Sequence, residues 1–220
     1  MSRVFIVSKT RMHEGRVCVG GVDIDNQRSL RLMDSDGRHE YVEDCPYEIY
    51  DIWDLSYIMS SYRPAPHAAE DCNVTWRKRL GNTGYVDNLP AILKGYGMQV
   101  YAGPLTNAFG GMLKTEKSTW FISRPNVPNH STCFWIADKN ITLKHTISYG
   151  KERWSYVYLD PQHPKWGSNI PYVGVMSDPP AVIPQGTLVR LSLAHWWQKD
   201  DCDEERCYLQ LSGCYLPHQE

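Results

Sequence analysis

The hexapeptide PHAAED holds the densest set of groups that could do acid–base chemistry. If a helix starts there, His67 lies three and four residues before Glu70 and Asp71, which puts the three side chains on one face. An imidazole beside carboxylates suits general acid–base catalysis or a divalent metal. Alternatively, carboxylates in a first helical turn accept hydrogen bonds from free backbone N–H groups. Because no second cluster supplies a nucleophile or more ligands, we expect the structural role.

The C-terminal cysteines resemble a metal site only superficially. Cys202, Cys207, Cys214 and His218 contain no C-x-x-C pair, and Cys207 and Cys214 have opposite parity on a predicted strand. The acidic run DDCDEE lacks the glycine and the ligand spacing of a calcium loop. Phosphate-binding loops, dinucleotide fingerprints and nucleophile elbows are also absent from the sequence. We therefore expect neither a metal nor a cofactor.

Two strand-like stretches carry aromatic residues that could stack on a ligand. In LVRLSLAHWW, alternation puts Arg190 and Trp196 opposite the apolar face, where a guanidinium could meet phosphate and an indole could stack on a base. In RWSYVYLD, Trp154, Tyr156 and Tyr158 share one side. The alternative is structural in both cases, because such aromatic residues also build cores and such an arginine also pairs with a carboxylate.

Basic residues are concentrated in two places. Lys9, Arg11 and Arg31 could give the N-terminal strands a strip of phosphate contacts, with at most one of Lys9 and Arg11 sharing a groove with Arg31. Solvated strand ends are the alternative, since charged residues usually lie outside. The second place is the run WRKRL. Its cations could contact a ligand, or they could lie at the C-terminal end of a helix, where they interact favourably with the helix dipole. Its cations are Arg77, Lys78 and Arg79.

Alternation with a period of two residues recurs along the chain and predicts a mainly β protein. RVFIVSK, RVCVGGVDID and SLRLMD predict three strands before residue 60, and YEIYDIWDLSYI predicts a long fourth. In the second of these, the apolar positions change parity at Gly20–Gly21. We interpret this change as a bulge that bends the strand, as a small closed barrel requires.

The middle of the chain is predicted to be helical. Residues 64–81 carry acids early, bases late and a terminal glycine, which favours one helix, and residues 87–95 favour a second, shorter helix. From residue 119 onward, five strands could close a second barrel. The predicted divisions are a first barrel over residues 1–62, a helical connector over 63–117 and a second barrel over 118–220.

Composition is that of an ordered globular protein: among 220 residues, 42% are hydrophobic and 22% charged. The net charge of −2 excludes a global positive field, so any nucleic-acid contact must be a local patch. The first residues predict neither a signal peptide nor a membrane span. Seven cysteines are then expected to be reduced thiols, which predicts a cytoplasmic location and no membrane partner.

Several sequence islands together resemble one known family. They are KTR, CVGGVD, SLRLM, PHAAED and RLSLAHWW followed by ERCYLQLSGCY. This set is similar to the dual OB-containing domain of prokaryotic conflict systems, over nearly the whole chain. The resemblance implies two OB-like β-barrels, inferred to engage nucleic acid or nucleotides, in bacterial defence and genome-conflict loci.

Three functional hypotheses follow. The first is a non-enzymatic module that binds single-stranded nucleic acid or a nucleotide. The second is an adaptor that binds a protein partner from the same locus, which the near-neutral charge favours. The third is an enzyme acting on nucleic acid or a nucleotide through the His67 cluster. Salt dependence separates the first two, because phosphate contacts release counterions.

Overall fold

A computed structural model describes residues 1–60, 64–84, 86–148, 150–159, 167–176, 178–200 and 202–216. The helical segments are α1 (Leu89–Gly95) and α2 (Ala108–Gly111), with 3-10 turns at His13–Gly15 and Leu105–Asn107. The strands are β1 (Ser2–Arg11), β2 (Val17–Asp23), β3 (Arg28–Met33), β4 (Asp51–Met59), β5 (Asp71–Asn82), β6 (Val100–Tyr101), β7 (Lys114–Glu116), β8 (Thr119–Ser123), β9 (Thr132–Ile136), β10 (Ile141–Ser148), β11 (Lys151–Tyr158), β12 (Ser168–Pro171), β13 (Val182–Ile183), β14 (Leu188–Leu193) and β15 (Arg206–Tyr215).

The chain is mainly β, as the alternation predicts, and it divides into two compact units between Val100 and Tyr101. The first unit contains a closed barrel with the strand order β1-β2-β3-β5-β4. Its pairs are antiparallel except β3 with β5, which run parallel. A five-stranded barrel with this order has the OB arrangement. None of the helices in the described ranges has the length and apolarity needed to cross a bilayer.

The helix predicted over residues 64–81 is wrong, because most of this segment is strand β5. β5 pairs with β4 from Asn82 to Cys72 and runs beside β3 at its start, so it closes the barrel. Cys72 and Val74 are buried inside it. The acid-to-base charge order that indicated a helix is used instead for ion pairs with neighbouring segments.

The helical connector predicted over residues 63–117 is therefore not present as such. Residues 64–100 belong to the first unit, and residues 101–117 belong to the second. The short helix predicted over residues 87–95 is confirmed as α1, which buries Leu89 and Leu93 one turn apart. The burial of these two side chains explains why α1 is the one α-helix of more than one turn among the described residues of this segment.

The bulge lies opposite the predicted position rather than on it. The register between β1 and β2 shifts between Ile6 and Ser8, so the extra residue is Val7, facing Gly20 and Gly21. A Cβ added to Gly21 would lie 2.6 Å from Val4 Cγ1. Gly21 therefore lets the two strands pack closely where the barrel bends.

The second unit has two sheets and is an open half-barrel rather than the closed barrel that the sequence predicts. Its six-stranded sheet has the order β6-β9-β14-β15-β8-β7, and its four-stranded sheet has the order β12-β11-β10-β13. Both sheets contribute to a single hydrophobic core. Its largest members include Trp120, Trp135, Tyr156 and Tyr158. The short strands that the sequence does not predict lie at the edges of the two sheets: β6 and β7 in the six-stranded sheet, β12 and β13 in the four-stranded sheet.

Candidate functional site

Arg31 and the predicted His67 cluster meet in a buried group on the first barrel. The parallel register of β3 and β5 sets Arg31 opposite Asp71. Arg31 Nε lies 3.1 Å from Asp71 Oδ1, and Arg31 Nη2 lies 3.8 Å from Glu70 Oε2. His67, Glu70 and Asp71 are only 1–2% exposed. The carboxylates neutralise a largely buried guanidinium, and their burial fits a structural role better than access to a substrate.

The other cations of the first barrel do not join Arg31 in one strip. Lys9 lies opposite Val19 and Arg11 opposite Val17, so both side chains share the face of buried core residues. Arg31 lies opposite Gly20, on the other face. Lys9 Nζ lies 3.1 Å from Glu48 Oε1, whereas Arg11 is exposed at the end of β1.

Alternation along β5 divides the basic run WRKRL between two faces. Arg77 binds Glu40 and lies 5.5 Å over the Tyr47 ring. Arg79 binds Asp51 at 2.6 Å. Lys78 lies on the other face, opposite Asp54 in the register with β4. The two arginines are matched by carboxylates, so the run carries much less local positive charge than its sequence indicates.

Asp51 is the buried acceptor that fixes the β4–β5 hairpin. Its carboxylate accepts hydrogen bonds from Arg79 at 2.6 Å, Asn82 at 2.7 Å and the Trp53 indole at 3.1 Å. Burial by itself raises the pKa of this carboxyl, but these bonds outweigh burial and hold the pKa below its ordinary value. A lowered pKa means that the stabilisation is present above the unfolded-state pKa, about 3.9, and is lost as pH falls through the folded value.

We therefore expect Asp51→Asn to lower the free energy of unfolding at pH 7 and to approach wild-type stability as pH falls through the lowered folded-state pKa of Asp51. Urea unfolding of both proteins at several pH values measures this difference. The matched control is Asp44→Asn, which changes an exposed carboxylate. A wild-type advantage that grows as pH falls would contradict the assignment.

The aromatic stripe of β11 belongs to the core, so its interpretation as an exposed stacking surface is wrong. Tyr156 is 0% exposed, and its hydroxyl donates a hydrogen bond to the Pro180 carbonyl at 2.8 Å. Burial raises its pKa. Trp154 is partly buried against the same core and stacks on His145 with 4.2 Å between ring centroids.

Arg190 and Trp196 do not form a shared exposed face either. Arg190 is 5% exposed, and its Nη1 donates a hydrogen bond to Ser212 Oγ at 3.0 Å. Ser212 Oγ in turn donates to the Arg190 carbonyl at 3.1 Å. Trp196 packs partly against the core, with the Arg124 guanidinium 4.8 Å from its ring centroid. Both residues are therefore packed into the protein, as the structural alternative predicts, although Arg190 binds a serine hydroxyl where that alternative has a carboxylate.

The cysteines that resembled a metal site are separate thiols. Burial raises the pKa of Cys207 to about 12 and that of Cys214 to about 11, which disfavours the thiolate that a metal binds. His218 lies outside the described residues. Within the ranges that are described, no group of His, Cys, Asp and Glu side chains has a geometry suited to a metal ion.

A different aromatic surface lies on the outer face of the six-stranded sheet, and we call it the aromatic ladder. It consists of Trp197, Tyr208 and Phe121. The ring centroids of Trp197 and Tyr208 are 5.8 Å apart, and those of Tyr208 and Phe121 are 6.3 Å apart, both within the range of interacting aromatic pairs. Trp197, at the outer end, is 56% exposed, whereas Phe121 is buried.

Two strands and one bridge fix the ladder. Tyr208 lies opposite Phe121 in the register of β15 with β8. Trp197 and Arg206 exchange two backbone hydrogen bonds, of 3.1 and 3.0 Å, which anchor the indole beside β15. The ladder faces outward because the alternating residues Cys207 and Leu209 enter the core.

Cations accompany the rings of the ladder. Lys199 Nζ lies 5.0 Å from the Tyr208 centroid, and Arg206 Cζ lies 3.9 Å from the Phe121 centroid. Arg206 also binds Glu116 and Glu204, so its charge is already compensated. Glu116 and Glu204 balance the charges of Lys199 and Arg206, so these groups give the ladder no net positive charge. The ladder is therefore suited to stacking on flat rings more than to binding a polyanion.

Sequence reasoning missed Trp197 because it chose the neighbouring tryptophan by extending the alternation of β14. That strand ends at Leu193. The signal that was available lies in RCYLQL, where Arg206 and Tyr208 alternate with the core residues Cys207 and Leu209. This alternation predicts that the outer face of β15 carries an aromatic ring and a cation.

The closed five-stranded barrel and the mainly β second unit define a protein built from OB-like domains. The family model of the dual OB-containing domain matches residues 2–214. The chain therefore belongs to the dual OB-containing domain family, as the sequence islands predict. No curated protein matches the chain.

Proposed function

We propose that this chain is a non-enzymatic module that binds single-stranded nucleic acid, with bases stacked on the aromatic ladder. The observation that carries the proposal is the exposed indole of Trp197, held beside Tyr208 by its paired backbone hydrogen bonds to Arg206. A fixed, exposed ring with a second ring behind it is the usual stacking surface of proteins that bind single strands.

Single strands are favoured over duplexes because only unstacked bases present their faces to a protein ring. The compensated charge of Arg206 leaves Lys199 as the main cation beside the ladder, so we expect the ladder's own contribution to depend weakly on salt. A free nucleotide is the smallest ligand that the same surface would take. The burial of the His67 cluster supports a role without catalysis.

We place this binding in the cytoplasm, in the bacterial defence and conflict systems with which the family is associated. In that setting, a module that holds a displaced or invading single strand needs no chemistry of its own. A partner from the same locus would act on the bound strand.

A protein adaptor is the second candidate, and one feature of β5 favours it. β3 pairs with β5 only over Asp71–Asn73, whereas β4 follows β5 to Asn82. Across the described residues, the second edge of β5 beyond Asn73 has no strand partner. An extended peptide could add to such an edge.

The proposal predicts the effect of removing one ring. Trp197→Ala is expected to weaken binding of a labelled single-stranded oligonucleotide by about 1–3 kcal/mol, roughly 5- to 150-fold, because a stacking contact is lost. Fluorescence anisotropy with DNA, RNA and a matched duplex, at several salt concentrations, measures this loss.

The control is Trp76→Ala, which removes a 43% exposed tryptophan from the first unit and should leave affinity within about twofold. Trp197→Phe keeps a ring and should retain part of the affinity. If the wild-type protein binds none of the oligonucleotides at low salt, or if Trp197→Ala binds as tightly as wild type, the ladder is not the binding surface.

A further inference from the structure

The four-stranded sheet of the second unit carries a row of cations on its outer face, which we call the basic strip. It consists of Lys144, Lys151 and Arg153. In the β10–β11 register Arg153 lies opposite Thr146, and Lys144 lies opposite Ser155. Lys151 lies opposite Ser148, so alternation puts all three cations on the same side of the hairpin.

This side is the outer one because the intervening residues point to the core. Leu143 and Tyr156 lie opposite each other and pack in the hydrophobic core of the unit. All three cations are exposed. The geometry of an antiparallel pair spaces their Cβ atoms by roughly 7 Å along a diagonal row.

The cations of the basic strip are not compensated by nearby carboxylates. Across the described part of the chain, no ion pair or hydrogen bond engages any of them. The one acid of the hairpin, Glu152, lies opposite Ile147 on the other face, where it is 3.9 Å from His145. This contrasts with Arg77, Arg79 and Arg206, each of which binds a carboxylate.

Hydroxyl groups stand among the cations. Thr146 and Ser155 share the outer face of the same two strands. Lysine, arginine, serine and threonine side chains are the groups that contact phosphate oxygens in nucleic-acid complexes. The outer face of β10 and β11 holds no aromatic ring. It can therefore contact the sugar–phosphate backbone of a nucleic acid, but it offers no ring on which a base could stack.

We propose that the basic strip is a second nucleic-acid contact, which binds the sugar–phosphate backbone without regard to base sequence. Its ligand class rests on the proposed function, although the strip and the ladder lie on the outer faces of different sheets. The two surfaces have different roles. The ladder stacks on unstacked bases, and the strip supplies the salt-dependent attraction to phosphate groups. A chain with a net charge of −2 needs such a local patch.

The test replaces all three cations with glutamine, and the control replaces three other exposed cations so that net charge is equal. The strip variant is Lys144→Gln, Lys151→Gln and Arg153→Gln. The control variant is Arg38→Gln, Lys94→Gln and Lys117→Gln. The probes are a single-stranded oligonucleotide, its duplex and long-chain polyphosphate, which has no bases.

We expect the strip variant to lose at least tenfold in affinity at low salt for all three probes. Its plot of log affinity against log salt should be shallower by about two to three units, because each lost phosphate contact removes roughly one. The control variant should keep the wild-type slope. Thermal melts check that each variant is folded.

The outcomes separate this proposal from the ladder. If only the strip variant loses polyphosphate binding while only Trp197→Ala loses the preference for single strands, both proposals hold. If Trp197→Ala has no effect and the strip variant does, the strip stands and the ladder fails. If the strip variant matches the control variant on every probe, the strip proposal is overturned. A further assay measures whether the protein sediments with phosphatidylserine vesicles. The proposal is also overturned if the strip variant loses vesicle binding but keeps its affinity for all three probes, because the strip would then be a membrane contact.

Discussion

Asp71→Ala is expected to destabilise the protein by about 3–5 kcal/mol, because it leaves the largely buried guanidinium of Arg31 without its nearest carboxylate. Asp71 is 1% exposed, so water cannot readily replace the lost partner. Urea unfolding followed by tryptophan fluorescence measures the loss.

A second substitution shows whether the charge or the packing is responsible. Combining Asp71→Ala with Arg31→Met removes both charges and should recover part of the stability, since contacting residues couple in a double-mutant cycle. Asp54→Ala changes a carboxylate opposite Lys78 on the other face of β4 and should cost less than about 1 kcal/mol. A fully stable Asp71→Ala protein that loses a nuclease or nucleotide-processing activity would instead assign this cluster to catalysis.

Tyr156→Ala is expected to cost about 3–5 kcal/mol, the usual loss when a large buried aromatic ring is truncated. The ring is fully buried and meets Tyr172 edge-on, with 6.0 Å between centroids. Tyr156→Phe keeps the ring and removes only the hydrogen bond to Pro180, so we expect about 1–3 kcal/mol.

Trp197→Ala is the matched control for this prediction, because it truncates an aromatic residue that is mostly exposed. Its stability should fall by less than about 1 kcal/mol. The two variants therefore separate core from surface by thermal or urea unfolding. Equal losses for Tyr156→Ala and Trp197→Ala would mean that one of the two rings is assigned to the wrong environment.

Alternation was sufficient to predict most strands of both units, because period-two patterns follow directly from strand geometry. It could not say which face of a strand is buried. For β11, the sequence alone is compatible with Tyr156 in the core or on the surface. Its position is determined by packing against residues of the other sheet in the hydrophobic core. Likewise, Arg190 has the parity of an exposed residue but is enclosed beside Ser212.

The strand β5 was missed for an electrostatic reason. Its acids precede its bases, as in a helix that complements its own dipole. In the fold the same residues form separate ion pairs, Arg79 with Asp51 and Asp71 with Arg31. These partners are distant in sequence, so no local pattern identifies them. The ladder also depends on a distant pair, Phe121 and Tyr208, which lie opposite each other in the register of β8 with β15.

The most direct test of base stacking on the ladder is photo-cross-linking of a single-stranded oligonucleotide that carries 5-iodouracil, followed by mass spectrometry of the peptides. Light breaks the carbon–iodine bond of the base, and the same carbon then bonds to an aromatic ring in contact with it, with loss of hydrogen iodide. We predict cross-links to Trp197 or Tyr208, and their loss in Trp197→Ala. Cross-links that map instead to Trp76, or that persist unchanged in Trp197→Ala, would contradict the assignment of the ladder as the binding surface.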